Sequence, residues 1–126
     1  MSVLTQPPTM GDVLKYELNP NFTRETVTLL AGTSYPVGAV LGRITASGKM
    51  KLSTSAGSDG AQNAAAVLLY ATDATTTDAD AVVITRGPAI VSKAALVFDA
   101  SVDDAAKTAA KYTQLTALGI IPRDAA

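Results

Sequence analysis

Apolar and polar positions alternate over short stretches of this chain, which is the period of half-buried β-strands. Thr26-Val27-Thr28-Leu29-Leu30 is β-branched and apolar and stops at Ala31-Gly32, so it predicts a strand. Val37 to Thr45 predicts a second, in which Gly38 and Gly42 imply a bend, a bulge or a close backbone approach. Ser47-Gly48 marks a turn, and Met50-Lys51-Leu52-Ser53 resumes extended structure, so the two runs predict a hairpin. Ser53 to Asn63 is small, polar and glycine-bearing, the composition of a loop. The alanines of the run from Ala64 to Ala71 favour helix, but its shortness and the Thr-rich break after it favour a buried strand. Thr72 to Asp80 reads as a polar loop. Ala81-Val82-Val83-Ile84-Thr85 reads as a buried strand, and Ala89-Ile90-Val91-Ser92 as its continuation past Gly87-Pro88.

One helix is marked near the C-terminus. Ser101 is placed to cap it, with Asp104 three residues on in the manner of a capping box. Asp103 and Asp104 suit the first-turn dipole, and Asp103 is spaced for an ion pair with Lys107. Ala105, Ala109, Tyr112, Leu115 and Leu118 can form one apolar face. Gly119 fits the position just past the end, with Ile120 as its apolar contact, and Pro122 prevents continuation. At the other terminus, Thr5-Gln6-Pro7-Pro8-Thr9 favours extended backbone. Residues 1–20 therefore read as an extended, flexible arm, and residues 21–126 as one domain. Val3, Leu4, Val13, Leu14 and Tyr16 are more apolar side chains than a solvated tail needs.

Composition narrows the picture. At 126 residues the chain fits one domain with a modest core. Alanine supplies 23 residues and inflates the 48% apolar content, so the core should be thin and gain from burial against a partner. Net charge is −1, without a basic stripe, so neither nucleic acid nor anionic lipid is an expected partner. Apolar runs are far short of the ~20 residues that cross a bilayer. The N-terminus lacks a charged region followed by an apolar one, so no secretory signal is expected. The chain holds neither Cys nor His, which removes thiolate chemistry, the commonest general base and the commonest zinc ligand.

The remaining candidates for chemistry are weak. Asp73, Asp78 and Asp80 invite a calcium reading but lack EF-hand spacing and its terminal Glu. Asp59, in Gly57-Ser58-Asp59-Gly60, suits a plain turn as well as an ion loop. Ser47 with Lys49, and Ser92 with Lys93, could be drawn as Ser–Lys pairs, yet sequence proximity supplies neither a desolvated Lys nor an oxyanion hole. No catalytic, cofactor or metal site is expected, and no small-molecule substrate.

Several segments in order resemble the head decoration (capsid cement) protein family of tailed bacteriophages, which includes the lambda decoration protein. They are Leu14-Lys15-Tyr16-Glu17, Phe22 to Leu29, Gly32, Gly38 to Gly42, Ala66 to Leu69, Arg86 to Val91, Ala95 to Asp99 and Leu115 to Arg123. Residues 1–13 and the loops near 54–63 and 72–80 lie outside the resemblance.

The resemblance implies a mixed α/β, β-rich domain that binds as a homotrimer to the outer surface of the expanded head at three-fold positions. Its partner would be the major capsid protein of the parent phage, and its role would be structural and not enzymatic. The arm would order on the capsid by adding a strand, a mode in which main-chain hydrogen bonds supply affinity and alternate side chains supply register. Val3, Leu4, Thr5, Gln6, Val13, Leu14 and Tyr16 are the expected capsid-contacting residues. The alternative is a β-rich binding module, for example for carbohydrate, against which the absence of Trp and the few aromatics argue.

Overall fold

Two-residue alternation, carried through five strands, builds the body of the protein. The computed structural model describes residues 9–124. Helix α1 (Met10–Val13) and strand β1 (Leu14–Glu17) lead into α2 (Pro20–Thr23) and the long strand β2 (Arg24–Leu29). Strands β3 (Thr33–Tyr35), β4 (Val40–Arg43), β5 (Met50–Leu52), β6 (Ala64–Leu68), β7 (Thr72–Ala74), β8 (Ala79–Ile84) and β9 (Ala89–Ser92) follow. A short 3-10 turn (Lys93–Ala95), helix α3 (Ala105–Ala117) and β10 (Ile120–Arg123) complete the chain.

Five of these strands close into a barrel in the order β2-β5-β4-β6-β8. Its longest seam is β2 against β8, antiparallel from Arg24↔Ile84 to Leu29↔Ala79. Inward-facing Val27, Leu29, Leu41, Met50, Ala66, Leu68, Ala81 and Val83 form one core. The alanines fit a narrow interior that larger side chains would overfill. Val40, Val67 and Ile84 face the opposite way on the same strands. They pack with Val13, Val91, Leu115 and Ile120 in a second core, so β6 is buried on both faces. Each Leu, Ile or Val so buried contributes about 1.5–3 kcal/mol.

A three-stranded sheet in the order β1-β9-β10 covers that second core together with α3. β1 runs antiparallel to β9 and β10 parallel to it, so segments from both ends of the chain flank one strand. The pair β3–β7 forms a separate ribbon. It is anchored by buried Tyr35, whose hydroxyl donates to the Leu30 carbonyl at 2.8 Å.

The mixed α/β, β-rich single domain with one C-terminal helix is what forms. The β4–β5 hairpin, the strand at Ala64 and those at Ala81 and Ala89 lie where the sequence places them. Gly42 is the close approach its strand implied: a Cβ there would lie 2.1 Å from the Ala61 carbonyl oxygen, beside an irregularity in the β4–β6 register. Gly119, at φ +85°, ends α3 as expected.

Four details differ. Thr72–Ala74, read as loop, pairs with Thr33–Tyr35 because the barrel brings the two segments together. Ile120–Arg123 continues as a strand after the helix; Pro122, which has no N–H, is tolerated because β10 is an edge. The run Ala95 to Asp99, which through the resemblance looks like a strand, makes one isolated bridge, Val97 to Ala39. The cap of α3 is Asp104, whose carboxylate accepts from the Lys107 N–H at 2.8 Å. The helix therefore starts later than Ser101 implies, and its buried face carries Lys111 and Leu115 while Ala105 and Ala109 are exposed.

Candidate interaction surface

The segment expected to contact a partner divides in two. Val3, Leu4, Thr5 and Gln6 lie outside the described residues. From Thr9 onward the chain is folded onto the body. The Asp12 carboxylate accepts from the Thr9 N–H at 2.8 Å and fixes the start of α1. Val13 is fully buried in the second core. Leu14 is half-buried opposite Val91, and Tyr16 is 49% exposed opposite Ile90. Tyr16 is thus the one of these three that offers most of its surface to a partner, while Val13 works inside the domain. The expected arm over residues 1–20 therefore includes a helix and a strand of the body between Met10 and Glu17.

The corner after β1 is held by a cluster of polar contacts. Asn19 caps α2, its side chain accepting from the Asn21 N–H at 2.9 Å, and Pro20 takes the first helical position. Arg24 donates Nη2 to Glu17 Oε1 at 2.5 Å and Nε to the same oxygen at 3.0 Å. The Thr23 hydroxyl donates to Glu17 Oε2 at 2.6 Å. Burial pushes the Glu17 carboxyl up, but the hydrogen bonds from Arg24 and Thr23 and the Arg24 charge outweigh it, and the net shift is downward. Hydrogen bonding to Glu17 raises Arg24 in turn, and Tyr70 beside it adds to the rise. Arg86 donates to the Phe22 carbonyl at 2.6 Å, and its guanidinium stands 5.6 Å from the Phe22 ring centroid. The apolar residues on this corner, Leu18, Phe22 and Tyr70, are 59%, 52% and 47% exposed.

The acidic and Ser–Lys candidates are occupied in other ways. Asp78 accepts from the Ala31 N–H and pairs with Lys49, and Asp73 accepts from the Thr75 N–H and hydroxyl. Asp80 accepts from the Thr28 hydroxyl, and Asp59 pairs with Lys51 while accepting from the Ala61 N–H. Among the described residues, no three acidic side chains gather to hold a metal ion. The Lys49 ammonium pairs with Asp78 while its backbone N–H donates to Ser47 Oγ at 3.3 Å, and the Lys93 ammonium sits 4.7 Å from the Tyr112 ring centroid.

Lys111, which the sequence reading does not single out, is almost wholly buried. Its ammonium donates to Ser53 Oγ at 2.9 Å and to the Thr54 and Gln62 carbonyls at 2.6 Å each. Three donors meet three acceptors, so the cation is satisfied without a carboxylate in contact. Burial lowers its pKa, and the charge of Asp99 partly opposes that. The contact fastens the 53–63 loop to α3 and has no reacting partner. The spacing offered a signal: Lys111 precedes Leu115 by four residues and Leu118 by seven, on the stripe that faces the core.

The geometry is that of a packed scaffold with an apolar corner beside a sheet edge. A family model described as bacteriophage lambda head decoration protein D matches residues 3–120. The match takes in residues 3–13, which the resemblance had left out. No curated protein matches the chain.

Proposed function

The chain belongs to the bacteriophage lambda head decoration protein D family, and from that premise we propose that it is a non-enzymatic cement protein. It binds as a homotrimer to the major capsid protein, on the outer surface of the expanded head at three-fold positions. The family match over residues 3–120 carries this reading.

The mechanism is selective stabilisation. A trimer that bridges neighbouring shell subunits resists their separation under the pressure of packed DNA. Because it binds the expanded lattice and not the precursor, its binding free energy adds to the expanded state alone. Val3, Leu4, Thr5 and Gln6 add a strand to an edge of the shell protein, with Tyr16 contacting the shell at the root of the arm. Ordering the arm costs conformational entropy, which three arms engaged together offset through effective concentration. The buried Val13 and half-buried Leu14 contribute by setting where the arm leaves the body.

The test is co-sedimentation with expanded, undecorated shells of the parent phage, comparing the full chain with one beginning at Thr9. That truncation keeps α1 and β1, which the core requires. Saturable binding by the full chain and none by the shorter one is the expected result. Equal binding by both would remove the arm from the mechanism, and no binding by either would overturn the cement role.

A further inference from the structure

We infer that Asp59-Gly60 is a site of spontaneous isomerisation to isoaspartate, and that the folded loop restrains the reaction by giving both reacting groups other partners.

The dipeptide carries the chemistry. It is the single Asp-Gly in the chain, which has no Asn-Gly. The Gly60 amide nitrogen attacks Cγ of the protonated Asp59 carboxyl; a C–N bond forms, a C–O bond breaks and one water leaves. Water then opens the resulting succinimide. Addition at the former side-chain carbonyl restores aspartate, whereas addition at the former main-chain carbonyl leaves the chain running through the side chain. Composition is unchanged and no oxidant or cofactor is consumed. Glycine favours ring closure because it has no side chain to hinder the attack.

The fold keeps the reactive pair in place. Gly60 stands at φ +104°, and a Cβ there would lie 2.3 Å from Thr45 Oγ1 and 2.7 Å from the Arg43 carbonyl oxygen. Another residue would push the loop off the end of β4, so the position calls for glycine. The Asp59 side chain is 40% exposed, which gives water access to it.

Restraint comes from the neighbours. The Lys51 ammonium pairs with Asp59 Oδ2 at 2.8 Å, and the Ala61 N–H donates to Oδ1 at 3.0 Å. Lys51 first, and then the Ala61 N–H, lower the pKa of this carboxyl, so less of it takes the protonated form that can lose water. The nucleophile is engaged as well, because the Gly60 N–H donates to Gln62 Oε1 at 2.8 Å.

Conversion would change the loop. The Asp59 carbonyl accepts from the Thr45 N–H at 2.8 Å, and in isoaspartate it becomes a free carboxylate on a main chain one atom longer. The loop that presents the Thr54 and Gln62 carbonyls to Lys111 then loses its register against the end of β4. A protein carried on a phage head is not replaced after assembly, so slow covalent change accumulates there.

The test incubates the full chain at neutral pH, folded and unfolded in guanidinium chloride, and maps isoaspartate at residue 59 by peptide mass spectrometry. The unfolded chain should convert roughly tenfold faster or more. Asp59→Glu, whose closure needs a larger ring, should lose the signal at that position in both states. In the folded protein Lys51→Met should raise the rate roughly threefold or more, the factor that loss of one exposed ion pair allows. Ser101→Ala is the control for general loosening: it frees Ser55 on the same loop and touches neither reacting group, so its rate should match that of the unmodified protein. The comparison of folded with unfolded chain does not depend on how any variant folds. Absence of isoaspartate at 59 in the unfolded chain overturns the site. Equal rates in the two states, or an unchanged rate in Lys51→Met, overturn the restraint. An equal rise in Lys51→Met and Ser101→Ala also overturns it, since loop mobility and not the named contacts would then set the rate.

Discussion

In the barrel every strand has a neighbour on both sides, whereas in the three-stranded sheet only β9 does. The barrel interior is lined by leucines and a methionine interleaved with alanines and valines, and its wall is continuous from β2 around to β8. The outer layer is assembled from segments far apart in the chain: β1 from one end, β10 from the other, and α3 laid across the second core. It holds the buried cation at Lys111, the open edges of β1 and β10, and the exposed corner at Phe22. Closure removes edges and so removes a way to bind. The barrel is therefore the part without an edge to offer, and the outer layer is the part with surface to offer a partner.

The comparison is broken most severely inside the barrel. Leu68 is fully buried in the narrow interior. Leu68→Ala should cost about 2–5 kcal/mol, because a closed wall cannot collapse far around the cavity. The urea midpoint should fall with little change in slope. A loss below about 1 kcal/mol would mean that the wall relaxes and that closure matters less than argued.

Lys111→Met comes next. It removes the donor from the Thr54 and Gln62 carbonyls and from Ser53 Oγ while keeping most of the apolar stem. The expected cost is about 1–3 kcal/mol, the range for buried acceptors left unpaired. Amide exchange should speed up selectively in residues 53–63 and leave the β2–β8 seam protected. Uniform acceleration over both regions would show that the outer layer and the barrel unfold as one unit.

How much of this difference was legible follows the range of the interactions. Val27 and Leu29 on β2, and the Ser47-Gly48 turn, declare themselves through neighbours a few residues away. Gly119 does the same, because only its local φ ends the helix. β1 was concealed because its four residues pair with Ala89 to Val91, more than 70 positions on, and the proline-bearing polar stretch before them reads as part of an arm. β3 and β7 are polar triplets whose pairing is imposed by the barrel. Lys111 was not singled out because a lysine on a helix is ordinarily solvated, and only its register with Leu115 says otherwise. The exposed corner was partly legible: Tyr16 was singled out, whereas Leu18 and Phe22 gain meaning only once α2 is seen to be pinned by Glu17 and Arg24.

That pin gives a smaller, pH-dependent effect. The net shift of the Glu17 carboxyl is downward, so the folded state holds its charged form better than the unfolded chain does. The contribution is full above the unfolded value, which lies near the ordinary glutamate value of 4.5, and is lost as pH falls through the folded pKa. Glu17→Gln should cost about 1–2 kcal/mol near neutrality, since the pair is only partly shielded from solvent. The stability gap between the unmodified protein and the variant should close as pH drops below the unfolded value. A gap that stays constant with pH would show that Glu17 acts through packing alone.

The smallest effect separates two caps three residues apart. Asp104 accepts from the Lys107 N–H, whereas the Ser101 hydroxyl donates to Asp99 at 2.6 Å and accepts from the Ser55 N–H at 3.0 Å. Asp104→Ala should therefore cost about 1 kcal/mol, with the loss of a helix cap visible as fraying of the first turn of α3 in amide exchange. Ser101→Ala should leave that turn intact and instead loosen Ser55, on the loop that Lys111 also holds. If Ser101→Ala frayed α3 as much as Asp104→Ala, the helix would begin where the capping-box spacing put it. The 53–63 loop would then depend on Lys111 alone for its attachment to the outer layer.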